Sequence, residues 1–260
     1  MSNASHATLE QEDAPEIKLI ALDMDGTLLN PSHEISAGNR ESIAEAQEHG
    51  VHVVLSTGRT LMTCGKYAES LNLNSYLVTV NGSEIWHSSG ELLWRNVLDR
   101  DVIEHIYELH KSADIHVWGA TTKDIFRGEL PDNPHDHEWM KFGFDTNDDE
   151  LRASIVDSLR TKGKTEITNS SPTNLEINAL GINKASALKR VCQELNLSMD
   201  QVMAVGDSLN DIAMIHEAGL GIAMGNAQEA VKEVANWVTA TNDQDGVAAA
   251  IQRWVVIPRL

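Results

Sequence analysis

The sequence predicts an α/β protein with a three-layer, Rossmann-like parallel-sheet core and an inserted α+β module. Two observations carry that prediction. Short apolar, β-branched runs alternate with helical stretches at both ends of the chain, and in the middle this alternation gives way to hairpins and two helices. A third observation locates the chemistry: acidic or glycine-bearing turns follow the ends of the apolar runs.

Residues 17–22 read as a buried strand that stops at Asp23 and Asp25, where acidic side chains can reach solvent before Gly26 turns the chain. A helical stretch with Ile43, Ala44 and Ala46 ends at Gly50, and residues 51–55 form a second strand closed by Gly58. A helix over 60–71 and a strand over 76–80, closed by Asn81-Gly82, complete the N-terminal half. From there to about Gly181 the rhythm changes. A hairpin turns about Ser88-Ser89-Gly90, a helix spans 101–111, and strands are expected at 115–118, 124–127, 165–168 and 175–179. Asn147 with Glu150 has the spacing of a capping box for a helix running to Arg160.

The first rhythm then resumes with a helix over 184–195, strands at 202–205 and 220–223, a helix over 209–217 and a short strand at Trp237-Val238. Asn226 with Glu229, and Asn242 with Asp245, again have capping spacing. The core is therefore expected over 17–82 and 183–260, and the insertion over 83–182. Asn81-Gly82 and 181–183 are the expected hinges, with Gly82 free to take positive φ.

Composition bounds the partners. The chain of 260 residues can bury about 70% of its extended surface without disulfides. Against 39 acidic residues stand 20 basic ones, a net charge of −19, which opposes broad attraction to nucleic acid or an anionic membrane. A phosphate-bearing ligand would need a local cation. Cys64 and Cys192 are too few and too far apart for a zinc ribbon or iron–sulfur centre and suit a reducing compartment. The first sixteen residues lack the charged start and apolar stretch of a signal peptide, and Met1-Ser2-Asn3-Ala4 has the look of an expression remnant. A soluble, cytoplasmic protein is expected, with no nucleic-acid, membrane or obligate protein partner.

Asp23 and Asp25 sit two apart in a strand-to-loop segment, so one carboxylate can attack while the other handles a proton or turns its carbonyl toward a metal. Asp207 and Asp211 lie four apart across a helix start and can share one hard-cation site with Asp23. Both segments also have ordinary readings, as an acidic turn and as helix capping. Lys184 stands near a helix start, where the helix dipole disfavours a positive charge.

Together these residues resemble the haloacid dehalogenase-like phosphohydrolase superfamily, in its Cof-type branch with a large α+β cap inserted after the third core strand. The resemblance covers 17–254. Asp23-Met24-Asp25-Gly26-Thr27-Leu28-Leu29, Ser56-Thr57-Gly58-Arg59, Lys184 and Gly206-Asp207-Ser208-Leu209-Asn210-Asp211 match its four motifs in order. Ala185 departs from the glycine common beside the lysine. The resemblance implies Asp23 as nucleophile and Asp25 as general acid/base. It implies Thr57, with Gly58 and Arg59, as the phosphoryl cradle and Lys184 as its neutralising cation.

Magnesium would be held by Asp23, Asp207, Asp211 and the backbone carbonyl of Asp25, with Asn210 organising the site. Asn81, Asn174 and Glu176 are the expected substrate contacts nearer the cap. The implied activity is magnesium-dependent hydrolysis of a small phosphate monoester, a sugar phosphate or related phosphometabolite, through an aspartyl-phosphate. Phosphomutase-like transfer and a non-catalytic phospholigand-binding module remain as alternatives. The run Asp132-Asn133-Pro134-His135-Asp136-His137-Glu138 reads as a solvated loop, with substrate-facing polar contacts or an accessory metal site as its sharper alternatives. Of the tryptophans in the insertion, Trp86, Trp94, Trp118 and Trp139, most are expected to pack between sheet and helices.

Overall fold

The computed structural model describes residues 15–112 and 115–256. The polar start of the chain lies, up to residue 14, outside the described residues. The core begins with β1 (Leu19–Leu22), α1 (Ala37–Glu48), β2 (His52–Ser56), α2 (Leu61–Ser70) and β3 (Tyr76–Thr79), followed by a hairpin of β4 (Glu84–His87) and β5 (Leu92–Arg95). The inserted part runs α3 (Arg100–Ser112), β6 (His116–Thr121), β7 (Ile125–Arg127), β8 (Trp139–Asp145), α4 (Asp149–Arg160), β9 (Thr165–Thr168) and β10 (Asn174–Ala179). The chain returns through α5 (Lys184–Leu195), β11 (Val202–Gly206), α6 (Ile212–Glu217), β12 (Leu220–Ala223), α7 (Glu229–Val234), β13 (Trp237–Val238) and α8 (Gly246–Ile251).

The core sheet has the order β13-β12-β11-β1-β2-β3-β4-β5. Its first six strands pair in parallel, and each is a short apolar run because helices cover both faces. β1 is buried at every position. The last two strands are antiparallel, which makes the sheet mixed.

This corrects one boundary expected from the sequence: the hairpin at 83–95 extends the core sheet and does not start the inserted one. A strand joined by a tight turn pairs most cheaply with its predecessor, and Ile85, opposite Val78, is buried in the core cluster. The chain leaves the core sheet only after Arg95, so the outgoing crossing lies beyond the hinge expected at Asn81-Gly82.

The inserted sheet, β7-β6-β8-β10-β9, is antiparallel throughout. Alternation along its strands separates two faces. Val117, Phe142, Phe144, Leu175 and Ile177 pack with Val102, Ile103 and Ile106 of α3 and with Ile155 and Leu159 of α4. Trp118, Lys141, Asp145 and Glu176 stand at the alternate positions and face the core domain. β8 is buried along almost its whole length because it has helices on one side and the core on the other.

Cap positions differ by a residue or two from their sequence signals. α4 is capped by Asp148, whose carboxylate accepts from the Leu151 amide, rather than by Asn147. α7 has Gln228 at its N-cap, which leaves Asn226 for another task. α5 starts at Lys184, behind an Asn183–Ser186 capping box. Among the described residues no helix is long and apolar enough to cross a membrane.

Candidate active site

β1 and β11 are parallel neighbours in register, Leu22 opposite Val205, so the residues that follow them emerge side by side. Asp23 and Asp207 are those residues. Two glycines let the loops close. A Cβ on Gly26, whose φ is +84°, would stand 2.5 Å from Asp207 Oδ2, and one on Gly206 would stand 2.5 Å from Asp211. Asp207 accepts from the Thr27 hydroxyl at 2.8 Å and the Ser208 hydroxyl at 2.9 Å. Asp211 takes the amides of Asp207 and Ser208 on Oδ2, at 2.9 and 3.0 Å, which leaves Oδ1 for Lys184.

Carboxylate oxygens of Asp23, Asp207 and Asp211 all lie within 4.8 Å of one another. Lys184 Nζ, fully buried, donates to Asp23 Oδ1 and Asp211 Oδ1, each at 2.6 Å. Burial acts to lower the Lys184 pKa, but Asp211 and Asp23 overcome it and hold the ammonium above its ordinary value. Burial pushes the Asp23 carboxyl up, opposed by Lys184 and reinforced by Asp211 and Asp207. Burial, then the Asp211 charge, raises Asp207 to about 6. One ammonium thus faces three carboxylates, an excess of two negative charges in a desolvated place. A hard divalent cation fits this donor set in both charge and ligand type.

Asp25 lies outside that cluster and is half-exposed. Arg59 grips it with both arms, Nε on Oδ2 at 2.7 Å and Nη2 on Oδ1 at 2.5 Å, while the guanidinium lies 5.4 Å from the Tyr67 ring centre. Thr57 is buried, and its hydroxyl accepts from the Arg59 amide at 3.1 Å. Val80 and Asn81, both with positive φ (52° and 56°), fold back on this loop: their amides donate to the carbonyls of Arg59 and Thr57. Asn81 Nδ2 then donates to Glu176 Oε2 at 2.6 Å.

The other half of the site comes from the inserted sheet. Lys141 Nζ donates to the Gly58 carbonyl at 3.0 Å and lies 3.3 Å from Glu176 Oε1. A Cβ on Gly58 would stand 3.1 Å from that ammonium and 2.9 Å from Asn81 Oδ1, so this position needs a glycine if both side chains are to reach it. Burial lowers the Lys141 pKa against the pull of Glu176. For Glu176, burial is outweighed by Lys141 and by hydrogen bonds from Asn81 and Ser170, and the carboxyl stays below its ordinary value. Asn210 Nδ2 reaches Glu176 Oε2 at 3.4 Å, while its Oδ1 is buried with no hydrogen-bond partner among the described residues. A cavity of about 440 Å³, open to solvent on one side, lies between Asp23 and Asp25 and, across from them, Trp118, Lys141 and Asp145.

This geometry has relatives. The family model of haloacid dehalogenase-like hydrolases matches residues 20–151 and 127–251. The chain belongs to that family. A 5-amino-6-(5-phospho-D-ribitylamino)uracil phosphatase of Bacillus subtilis (strain 168), YcsE, is 56% identical over 249 residues, spanning 96% of this chain and 100% of the relative. The phosphatase YwpJ of the same organism is 31% identical, over 89% of this chain and 98% of its own. A haloacid dehalogenase-like hydrolase from B. subtilis superposes with a TM-score of 0.84 at 27% identity, covering 91% of this chain and 99% of that one. One from Bacteroides thetaiotaomicron superposes with a TM-score of 0.77 at 33% identity, over 92% and 99%. The protein is a phosphatase of this family with an aspartate-based site.

Within that family frame, Asp23, Lys184, Asp207 and Asp211 come together as the sequence led one to expect. Arg59 sits on Asp25, and Asn174 does not line the cavity: its Oδ1 takes the amides of Ser170 and Ser171 and so shapes the turn carrying Ser170. Asn226 does not cap a helix; it ties Gly26 to Asn242, joining two loops at the strand ends. Trp86 and Trp94 pack on the core rather than in the insertion. Lys141, Trp118 and Asp145 were missed by sequence reasoning. Their signal was the alternation of Lys141, Gly143 and Asp145 with Phe142 and Phe144, a polar stripe on a strand whose other face is aromatic. His135 pairs with Glu104 at 3.2 Å, and among the described residues the one cluster of three or more metal-ligating side chains is that of Asp23, Asp207 and Asp211.

Proposed function

We propose that this phosphatase is magnesium-dependent and releases phosphate from a phosphorylated polyol carrying a pyrimidine, of the kind named for its 56%-identical relative, 5-amino-6-(5-phospho-D-ribitylamino)uracil. The observation that carries the reading is the shared cavity: a buried carboxylate paired with a lysine at one end, an indole and polar side chains at the other. A phosphate group alone does not need a space of about 440 Å³, whereas a metabolite-sized ester does.

Asp23 attacks phosphorus through a carboxylate oxygen, and the bond from phosphorus to the ester oxygen breaks. Asp25 hands its proton to the departing alkoxide. In the second half Asp25 takes a proton from the water that attacks the aspartyl-phosphate, the bond to Asp23 breaks, and phosphate leaves. Because Arg59 holds both Asp25 oxygens, each proton transfer requires Asp25 to exchange that grip for the reacting oxygen. Lys184 offsets the repulsion between the Asp23 carboxylate and the incoming phosphate. Magnesium, held by Asp23, Asp207 and Asp211, with the Asp25 carbonyl expected to join them, would supply charge neutralisation at the phosphoryl oxygens.

The test is a comparison of kcat/KM for the pyrimidine-bearing ester, the same polyol phosphate without the ring, and common hexose phosphates. The reading requires the pyrimidine-bearing ester to be preferred by at least about tenfold, a difference of about 1.4 kcal/mol. Preference for a hexose phosphate would replace the substrate while leaving the reaction class intact.

A further inference from the structure

The cap-sheet face above the site carries a transverse row, Arg127, Trp118, Gly143 and Glu176, set by the register pairs between β7, β6, β8 and β10. Gly143 is the gap in that row. A Cβ there would stand 2.0 Å from Trp118 Cε2 and 2.1 Å from Cζ2, so the indole lies across the strand where any other residue would project. Its N–H donates to Asp145 Oδ2 at 3.1 Å, which fixes the direction of the ring. Lys141, tied to the Gly58 carbonyl, lies 4.9 Å from the ring centre and bounds this shelf on the side of the core loop.

A tryptophan used only for packing looks different in the same domain. Trp139 is fully buried, stacks on Phe142 at 4.3 Å between centroids, belongs to the apolar cluster of the insertion, and spends its N–H on the Pro134 carbonyl at 2.8 Å. Trp118 is on the polar face, partly exposed, and lines the same cavity as Asp23. Its cross-strand neighbour Arg127 also lines that cavity, is exposed, and forms no ion pair among the described residues. In a protein with net charge −19, an arginine at the register position beside Trp118, lining the cavity and without an ion pair among the described residues, is a donor available to a ligand.

We infer that Trp118 is the stacking wall for a planar nitrogen heterocycle in the leaving group, with Asp145 at its edge to accept from ring N–H groups and Arg127 to donate to ring carbonyls. This rests on the proposed function and names the part of the substrate that the cap recognises. The chemistry is that of an aromatic ring offering a quadrupolar face to a flat polar ring, while charged groups at the rim read donors and acceptors. Trp118 is a specificity residue: it stands off from the phosphorus and acts on which ester is bound.

The test measures kcat/KM for the pyrimidine-bearing ester and for the ring-free polyol phosphate in wild type, Trp118→Phe and Trp118→Ala, with thermal melting to show that each variant is folded. Wild type should prefer the ring-bearing ester. Trp118→Ala should cut that preference by about tenfold or more, mainly through KM, as expected for loss of one base–aromatic stack. Trp118→Phe, which keeps a flat face, should retain most of it.

A wild type that prefers the ring and a Trp118→Ala that keeps the same preference would overturn this inference alone. Equal losses on both esters would do the same, by assigning Trp118 to the architecture. A wild type that hydrolyses the two esters equally well would remove the substrate reading and this inference with it.

Discussion

The ends of the core strands and the polar face of the cap sheet border one cavity, yet they are built in opposite ways. At the core, Asp23, Asp207 and Asp211 sit just past strand ends and Lys184 at a helix start, and short local motifs aim several of them before distant partners join. The amides of Asp207 and Ser208 hold Asp211, the Ser208 hydroxyl donates to Asp207, and Asn183 caps the helix of Lys184, while Thr27 and Asp23 complete the cluster from the neighbouring strand. On the cap, Trp118, Lys141, Asp145 and Glu176 sit inside strands, and only the register of four strands makes them neighbours. On this architecture the core segments would carry the chemistry common to every ester, and the cap face would carry the choice among them.

If the two regions divide the work in this way, a change in the core should damage every substrate alike. The largest effect after loss of the nucleophile is expected from Lys184→Met. Removing the ammonium takes away the protein cation that offsets repulsion between the Asp23 carboxylate and the incoming phosphate and that pairs with buried Asp211, so turnover should fall by about a thousandfold on ring-bearing and ring-free esters together. Steady-state kinetics on both esters checks this. A loss confined to one ester would move Lys184 into substrate selection.

The next effect concerns the acidic cluster without its cation. Asp207, raised to about 6 from 3.8, binds its proton more tightly in the folded chain than in the unfolded one. Its contribution to stability is therefore complete below about pH 4 and is lost as pH rises through about 6. Thermal melting in chelator should show stability falling across that window, and added magnesium should restore it most at the upper end. A metal-free protein whose melting point rises steadily from pH 4 to 6, with magnesium giving no increment, would contradict the charge balance described for the site.

On the cap side, Gly143→Ala should force the indole of Trp118 off the strand. Overpacking of this kind costs about 1–3 kcal/mol, and the preference for the ring-bearing ester should fall further than hydrolysis of a small activated phosphate ester. Equal loss on both would argue that the cap serves chiefly to stabilise the core. Smallest of all is His135→Ala, at a loop whose histidine pairs with the exposed Glu104; stability should stay within about 0.5 kcal/mol and kcat/KM should not change for either ester. A clear kinetic effect there would give the loop a role that its geometry does not suggest.

The same contrast explains what was legible in the sequence. Asp23, Lys184, Asp207 and Asp211 lie in short local patterns: the strand ends that carry the three aspartates are bounded by glycines that the chain needs for close approach, and Lys184 opens a capped helix. The hairpin at 83–95 was assigned to the wrong sheet because local pattern shows that two strands pair, but not which sheet edge receives them. For Arg59 the sequence leaves open a place in the phosphoryl cradle or a pairing with an acidic side chain; that the acid is Asp25 depends on two loops 34 positions apart. Lys141 and Trp118 had only alternation to announce them. Their proximity to Asp23 arises when the insertion folds back over the core, and nothing local to either residue records that.

The account stands on Asp23 as the atom donor to phosphorus, and trapping the covalent intermediate tests this most directly. With radiolabelled phosphoester and magnesium, rapid acid quench should leave label on the peptide containing Asp23 in wild type. In Asp25→Asn, supplied with an activated leaving group that needs little protonation, the label should persist longer because the hydrolytic water lacks its base. Asp23→Asn, shown to be folded, should carry no label above background and turn over neither ester. Substantial label on folded Asp23→Asn, or inversion rather than retention of configuration at a chirally labelled phosphorus, would contradict the account, because two successive in-line displacements restore the starting configuration and a direct attack by water inverts it.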